Sequence, residues 1–125
     1  MSDEDLAKKV ADRFSGMDLF AMSNLRPSDT GIEGTVIWVS EGEFSGVDSQ
    51  HGPRIKVLPG TKVTPETRQN AVSVRITNPP EFLGDLPGKV KKQIVKFIDR
   101  NRDTLLRYWN SELSTREMLD LIQKV

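Results

Sequence analysis

The longest periodic segment of the chain is residues 88–109, GKVKKQIVKFIDRNRDTLLRYW. Its apolar side chains recur every three or four residues, as they do on one face of a helix. That face, which includes one amide, carries Val90, Ile94, Phe97, Ile98, Asn101, Leu105, Tyr108 and Trp109. Pro87-Gly88 precede the segment, and Asn110 follows it as a residue suited to a helix end. The pattern predicts a helix of about 22 residues.

Three shorter segments upstream predict β-strands. Gly34–Val39 is rich in β-branched and aromatic residues, which favour strands. Arg54–Leu58 and Ala71–Ile76 alternate polar and apolar side chains with a period of two. Pro79-Pro80 lack the N–H groups of a ladder, so the last strand should end before them. No crossover helix is evident between the strands, so we expect an antiparallel meander.

The two ends of the chain predict short helices. The first is capped at Ser2 and ends at Gly16, and residues 17–30 form either a linker or a docking segment. A capping box at Ser114–Glu117 starts the last helix. The sequence therefore predicts an α+β fold, in which a small antiparallel three-stranded sheet packs against one long C-terminal helix. We expect one domain over residues 1–125, made of the N-terminal helix and connecting segment (1–30) and of the sheet with the C-terminal helices (31–125).

Composition excludes several kinds of catalytic site. The 125 residues include no cysteine and one histidine, His51, which rules out thiol nucleophiles, cysteine-ligated metals and a multi-histidine metal site in one chain. No spacing matches a phosphate-binding loop or an EF-hand. We therefore expect no metal and no cofactor. The acidic start of the chain and the lack of a long apolar window favour a cytoplasmic protein without a membrane segment.

His51 has two interpretations. It precedes a predicted strand and lies close in sequence to Arg54 and Lys56, so it resembles a general base of an RNase flanked by cations. The other interpretation is a loop histidine at the entrance of the strand. We favour the loop histidine, because no acid, nucleophile or metal partner accompanies it. The protein is then not an enzyme.

Charge is divided unequally along a chain whose formal net charge is zero. Residues 1–50 carry 10 acidic and 4 basic side chains, a net of −6, whereas residues 51–125 carry 8 acidic and 14 basic ones, a net of +6. On a helical wheel, the face of the long helix opposite the apolar stripe carries Lys89, Lys92, Lys96, Arg100 and Arg107. This face is either solvated, with an Asp103–Arg107 ion pair, or a site for nucleic acid or an acidic partner. Tyr108 and Trp109 fall on the apolar side, which disfavours base stacking.

Asn101 is a polar exception on the apolar stripe of the long helix. A buried amide requires hydrogen-bond partners, so we expect Asn101 to tie the helix to a loop or to the last helix. A ligand contact is the alternative. Together with His51 and Arg54, Asn101 makes up the possible polar site of this sequence.

Two stretches of the chain resemble known proteins. His51–Val57, followed by a β-rich stretch that ends at Pro79-Pro80, and the helix with Leu105-Leu106 and Tyr108-Trp109-Asn110 are similar to small uncharacterised proteins of bacteria and phages. Similar pieces occur in a domain-of-unknown-function family associated with toxin–antitoxin systems. The resemblance covers residues 35–123 and implies a compact bacterial α+β domain.

These observations favour a small, non-catalytic protein-interaction module. Opposed acidic and basic halves suit electrostatic docking to another protein. The predicted loop at residues 41–52 and the segment 17–30 are further surfaces for a partner. The alternative is a nucleic-acid-binding or toxin–antitoxin-like protein that uses the basic face of the long helix. The oligomeric state stays open.

Overall fold

The structure, a computed structural model, describes residues 22–41, 52–60 and 62–125. In chain order the elements are β1 (Met22–Leu25), α1 (Pro27–Thr30), β2 (Thr35–Ser40), β3 (Arg54–Pro59), α2 (Pro65–Arg68), β4 (Val72–Arg75), β5 (Glu81–Phe82), α3 (Gly88–Trp109) and α4 (Thr115–Leu121). The helix predicted between Ser2 and Gly16 lies outside the described residues, as does His51.

The five strands form one antiparallel sheet in the order β1-β2-β3-β4-β5, so each strand pairs with its neighbour in sequence. The α+β class and the meander are confirmed, and the three predicted strands are β2, β3 and β4. The predicted number of strands is wrong, because β1 and β5 extend the sheet at its two edges. Strand β1, Met-Ser-Asn-Leu, does not alternate polar and apolar residues, and β5 has only two residues, so neither shows a period of two.

Strand β1 gives part of the segment 17–30 a structural role. Met22–Leu25 pairs with β2, from Met22 opposite Ser40 to Leu25 opposite Ile37. The single turn of α1 then leads the chain back into β2. Residues 22–25 are thus an edge strand rather than a linker or a docking segment.

The main core lies between α3 and one face of the sheet. Two rows of apolar side chains cross the central strands on this face, Ile37–Val57–Val72 and Val39–Ile55–Val74. They join the buried side chains of α3, such as Phe97 and Ile98, in a single hydrophobic cluster. Each fully buried side chain of this size contributes roughly 1.5–3 kcal/mol relative to an exposed one.

The opposite face of the sheet carries a second, smaller cluster. Val36, Trp38 and Leu58 are buried there, and Ala71 packs against them. Every residue of β2 is consequently buried. This explains why β2 reads as an almost continuous apolar run, whereas β3 and β4 alternate.

Helix α3 has the predicted length and position. It spans 22 residues, Gly88–Trp109, and Asn110 is its C-terminal cap. The N–H of Asn110 still donates to the carbonyl of Leu106, and the left-handed residue is Ser111, with φ of 60°. The helix therefore ends at Asn110 as predicted, although the residue in the left-handed conformation is the next one, Ser111.

Helix α4 begins at the predicted capping box. Ser114 Oγ accepts a hydrogen bond from the N–H of Glu117 at 3.1 Å, and Glu117 Oε1 accepts one from the N–H of Ser114 at 3.0 Å. After α4, residues 122–125 (the C-terminal segment) meet the connection between α1 and β2. There the N–H of Val125 donates to the carbonyl of Thr30 at 2.9 Å. The C-terminal segment thereby joins α4 to the β1 edge of the sheet.

Gly31 allows this close approach. Its φ is 79°, and a Cβ atom at this position would lie 2.5 Å from the carbonyl oxygen of Val125. Gly34 has a similar φ of 66°, but no atom lies within 4 Å of its Cβ position. The two glycines thus share the same backbone constraint and differ in the space around them.

We expect Gly31→Ala to lower the free energy of unfolding by more than Gly34→Ala does. An alanine with positive φ costs roughly 1–2 kcal/mol at either site, and only Gly31→Ala must also displace the C-terminal segment. Urea unfolding of both variants measures the difference. Equal losses would show that the backbone at Gly31 and Val125 separates at little cost.

The capping box also predicts a pH effect. The N–H and hydroxyl of Ser114 stabilise the Glu117 carboxylate, so they hold the pKa of Glu117 below its usual range. A lowered folded-state pKa gives stability that is complete above the unfolded-state pKa and is lost as the pH falls through the folded-state pKa. The stability difference between wild type and Glu117→Ala should therefore shrink on acidification. Carbon NMR titration of Glu117 checks the pKa, which should rise part-way in Ser114→Ala.

Candidate functional site

The five basic residues of the candidate surface are all exposed on α3. Lys89, Lys92, Lys96, Arg100 and Arg107 lie on the face opposite the buried stripe. Their positions fall within about 80° of arc and extend over about 27 Å of the helix axis, at 100° and 1.5 Å per residue. We call these five residues the basic row. Their separation from the core follows from the helical period, which buries one side of α3 and leaves the other in solvent.

No carboxylate of the described residues forms an ion pair with the basic row. Among the described residues, the ion pairs that involve α3 are Lys91–Asp85 at 3.2 Å and Arg102–Asp99 at 2.5 Å, and neither cation belongs to the row. The Asp103–Arg107 pair of the solvated-face interpretation is not formed in this part of the chain. The positive charge of the row is therefore not neutralised by α3 itself.

Arg100 differs from the other members because the fold holds its side chain. Its Nη1 donates to the carbonyl oxygen of Lys124 in the C-terminal segment at 2.5 Å. Arg100 also lines, with Lys96, Asp99 and Val125, an open hollow of about 490 Å³ beside the row. The fold thus holds one guanidinium of the row in place, and a side chain that is already ordered loses less entropy if a ligand contacts it.

Asn101 takes the structural role expected from its place on the apolar stripe. It is 2% exposed, and its Nδ2 donates to the carbonyls of Phe97 and Gln123 at 3.0 and 2.9 Å. Its Oδ1 accepts from the N–H of Gln123 at 2.7 Å. Both amide hydrogens are used, and Gln123 is bound through its N–H and its C=O. Asn101 therefore ties α3 to the C-terminal segment and has no free donor for a ligand.

Arg54 lies in a packed environment. It is 3% exposed, its Nη1 donates to the carbonyl of Gly52 at 3.3 Å, and its guanidinium carbon lies 5.9 Å from the ring centre of Trp109. This distance places the cation within the range of attraction to an aromatic ring. The structure thus assigns Arg54 contacts with Trp109 and the β3 entrance, and Asn101 contacts with the C-terminal segment. His51 lies outside the described residues, so its proposed role stays a prediction.

The aromatic residues at the end of α3 do not face the basic row. Tyr108 is 2% exposed, and its hydroxyl lies 2.9 Å from Ser23 Oγ and 2.8 Å from Thr115 Oγ1. Trp109 is half-buried beneath Arg54. Tyr108 is part of the main hydrophobic cluster, as expected, whereas the contact that the structure gives for Trp109 is the one with Arg54. Sequence reasoning missed the link from Ser23 to Thr115, since Ser23 is 85 positions from Tyr108 and no local pattern connects them.

The described residues contain neither a cluster of metal ligands nor a membrane-spanning helix. Across residues 22–41, 52–60 and 62–125, no three histidine or carboxylate side chains come together to hold a metal ion. Of the helices described, none has both the length and the apolar composition needed to cross a membrane. Comparison with protein-family models, curated proteins and solved structures finds no match to this chain.

We expect Asn101→Leu to lower the melting temperature. Leucine preserves the volume but leaves the N–H and C=O of Gln123 without their partner, at a cost of roughly 1–3 kcal/mol. Gln93→Leu, which replaces a half-buried amide of the same helix, is the control and should change stability much less. Thermal unfolding followed by circular dichroism makes the comparison. Equal melting temperatures in wild type and Asn101→Leu would contradict the structural role.

Proposed function

We propose that the protein is a non-catalytic interaction module that binds an acidic partner protein through the basic row of α3. The observation that supports the proposal most directly is the row itself, five exposed cations without an ion pair to any described carboxylate. Exposed residues of one sign along a rigid helix attract and orient a partner of the opposite sign. A cytoplasmic location is part of the same proposal.

Two exposed carboxyl groups, those of Glu66 and Glu117, have lowered pKa values. Hydrogen bonds at the starts of α2 and α4 are the main cause, and the charges of Arg68 and Arg107 lower the two pKa values further. Helix capping therefore explains most of both shifts. Neither shift therefore argues for a catalytic acid or base.

Nucleic-acid binding is the second candidate, and it is favoured by the density of positive charge, five cations over about 27 Å. Two observations count against it. The rings of Tyr108 and Trp109 contact the protein instead of flanking the row. A carboxylate, Asp103, also lies among the cations of the exposed face and would repel a phosphate backbone. A protein partner is accordingly the better-supported proposal.

The test is a pull-down from nuclease-treated extract of the host with two tagged proteins, wild type and the row variant Lys92→Glu/Lys96→Glu. The proteins that each of them retains are compared. The control is Lys62→Glu/Arg116→Glu, which makes the same change of net charge at exposed sites outside α3. We expect a protein that the wild type and the control retain and that the row variant loses. All three proteins should unfold within about 0.5 kcal/mol of one another, because the replaced side chains are exposed.

Binding of nucleic acid through the row would give a different set of results. If untreated extract yields nucleic acid that is lost with the row variant, and if the logarithm of affinity falls with that of salt at a slope of about −4.5 for five contacts, the nucleic-acid function replaces the protein-binding one. Equal retention of one protein by wild type, row variant and control would show that binding does not use the row.

A further inference from the structure

The spacing of charges on α3 narrows the class of partner. Asp103 completes the basic row, so that charged residues follow one another at intervals of three or four residues. These positions are Lys89, Lys92, Lys96, Arg100, Asp103 and Arg107. The mean step along the axis is about 5.4 Å, one helical turn, and the order of signs is four positive, one negative, one positive.

Asp103 is unlike the other carboxylate on this side of α3. Asp99 binds Arg102, which in turn donates to the carbonyl of Thr77 at 3.0 Å, so Asp99 has a role within the fold. Asp103 is exposed and makes no hydrogen bond or ion pair with the described residues. Arg100, one turn before it, directs Nη1 to Lys124 instead. The charge of Asp103 is therefore available to a partner.

The length of the charged row distinguishes an acidic helix from an extended peptide. A second helix with charges every three or four residues repeats at about 5.4 Å and stays in step with the row. An extended strand presents one face at about 6.7 Å, so over five steps it moves out of register by about one full step. Nucleic acid has no positive group to place opposite Asp103.

We propose that the partner presents an acidic helix that lies along α3, and that Asp103 sets its register by pairing with a single basic residue of that helix. This inference rests on the proposed function and adds the partner's secondary structure and charge order. A carboxylate within a basic row weakens binding to any uniformly acidic partner and favours one that carries the matching cation. Asp103 is then a specificity-determining residue rather than an interruption of the site.

The experiment uses the full chain and synthetic helical peptides. One peptide carries five glutamates and one lysine at positions complementary to the charged row, and the other carries six glutamates. The lysine-containing peptide is made in both charge orders, to match parallel and antiparallel helices. A duplex of about 20 base pairs is the third probe. Fluorescence anisotropy at low salt gives the Kd of each probe for wild type, for Asp103→Lys and for Asp120→Lys, an exposed control on α4.

We expect wild type and Asp120→Lys to bind the lysine-containing peptide about three- to five-fold more tightly than the all-glutamate peptide, the range of a good exposed ion pair. Asp103→Lys should reverse this preference. If wild type binds both peptides equally, the register role of Asp103 is overturned while the row remains the site. Tighter binding of the duplex than of either peptide would overturn the protein-binding function as well. Absence of binding to every probe would overturn both proposals.

Discussion

The packing of the apolar stripe of α3 on the sheet fixes the orientation of this helix, and the position of the basic row depends on that orientation. The stripe is continuous over six turns, and its buried members join the inward side chains of every strand in one cluster. With one side of the helix fixed in this way, the period of 3.6 residues places the basic row in solvent. Stability and surface charge are thereby divided between two sides of the same helix. Substitutions in the row should therefore leave the packing that holds the fold intact, so that they can test the proposed binding on its own.

Polar contacts hold the C-terminal segment in place against α3 and the end of α1. Asn101 binds both backbone groups of Gln123, and Thr30 accepts from Val125, so the segment joins the long helix to the β1 edge. Hydrogen bonds of this kind add little net energy when made, but buried groups left without partners cost considerably more. They therefore act mainly by specifying one position of the segment. The orientation of the Arg100 side chain follows from this position, because Arg100 binds the carbonyl of Lys124 in the segment.

Features that follow a local sequence pattern were predictable from the sequence, whereas features that depend on contacts between distant segments were not. The 22 residues of α3 repeat their apolar face often enough to define both ends, and β3 and β4 alternate clearly. Strand β5 has two residues and follows two prolines, so its pairing depends on β4 and not on its own composition. Asn101 binds the backbone carbonyl of the residue 22 positions away. Every amino acid has this group, so the identity of residue 123 gives no signal for the contact. The basic row was predictable from a helical wheel, whereas the lack of an ion pair between Asp103 and the described residues required the structure. Spacing alone had suggested a bond to Arg107.

The zero net charge of the chain has little influence on the electrostatic potential beside the basic row. At physiological ionic strength the screening length is about 8 Å, longer than the 5.4 Å step of the row and much shorter than its length of about 27 Å. Neighbouring charges on α3 therefore act together, whereas the two ends of the row are electrostatically independent. A charged partner of the proposed kind would therefore respond to the order of signs within one or two turns rather than to the sum over 125 residues. A single carboxylate at position 103 consequently changes the local potential between Arg100 and Arg107 while leaving that around Lys89 and Lys92 nearly unaltered. The recognition that we propose for this face would therefore depend on the order of the charges as well as on their number.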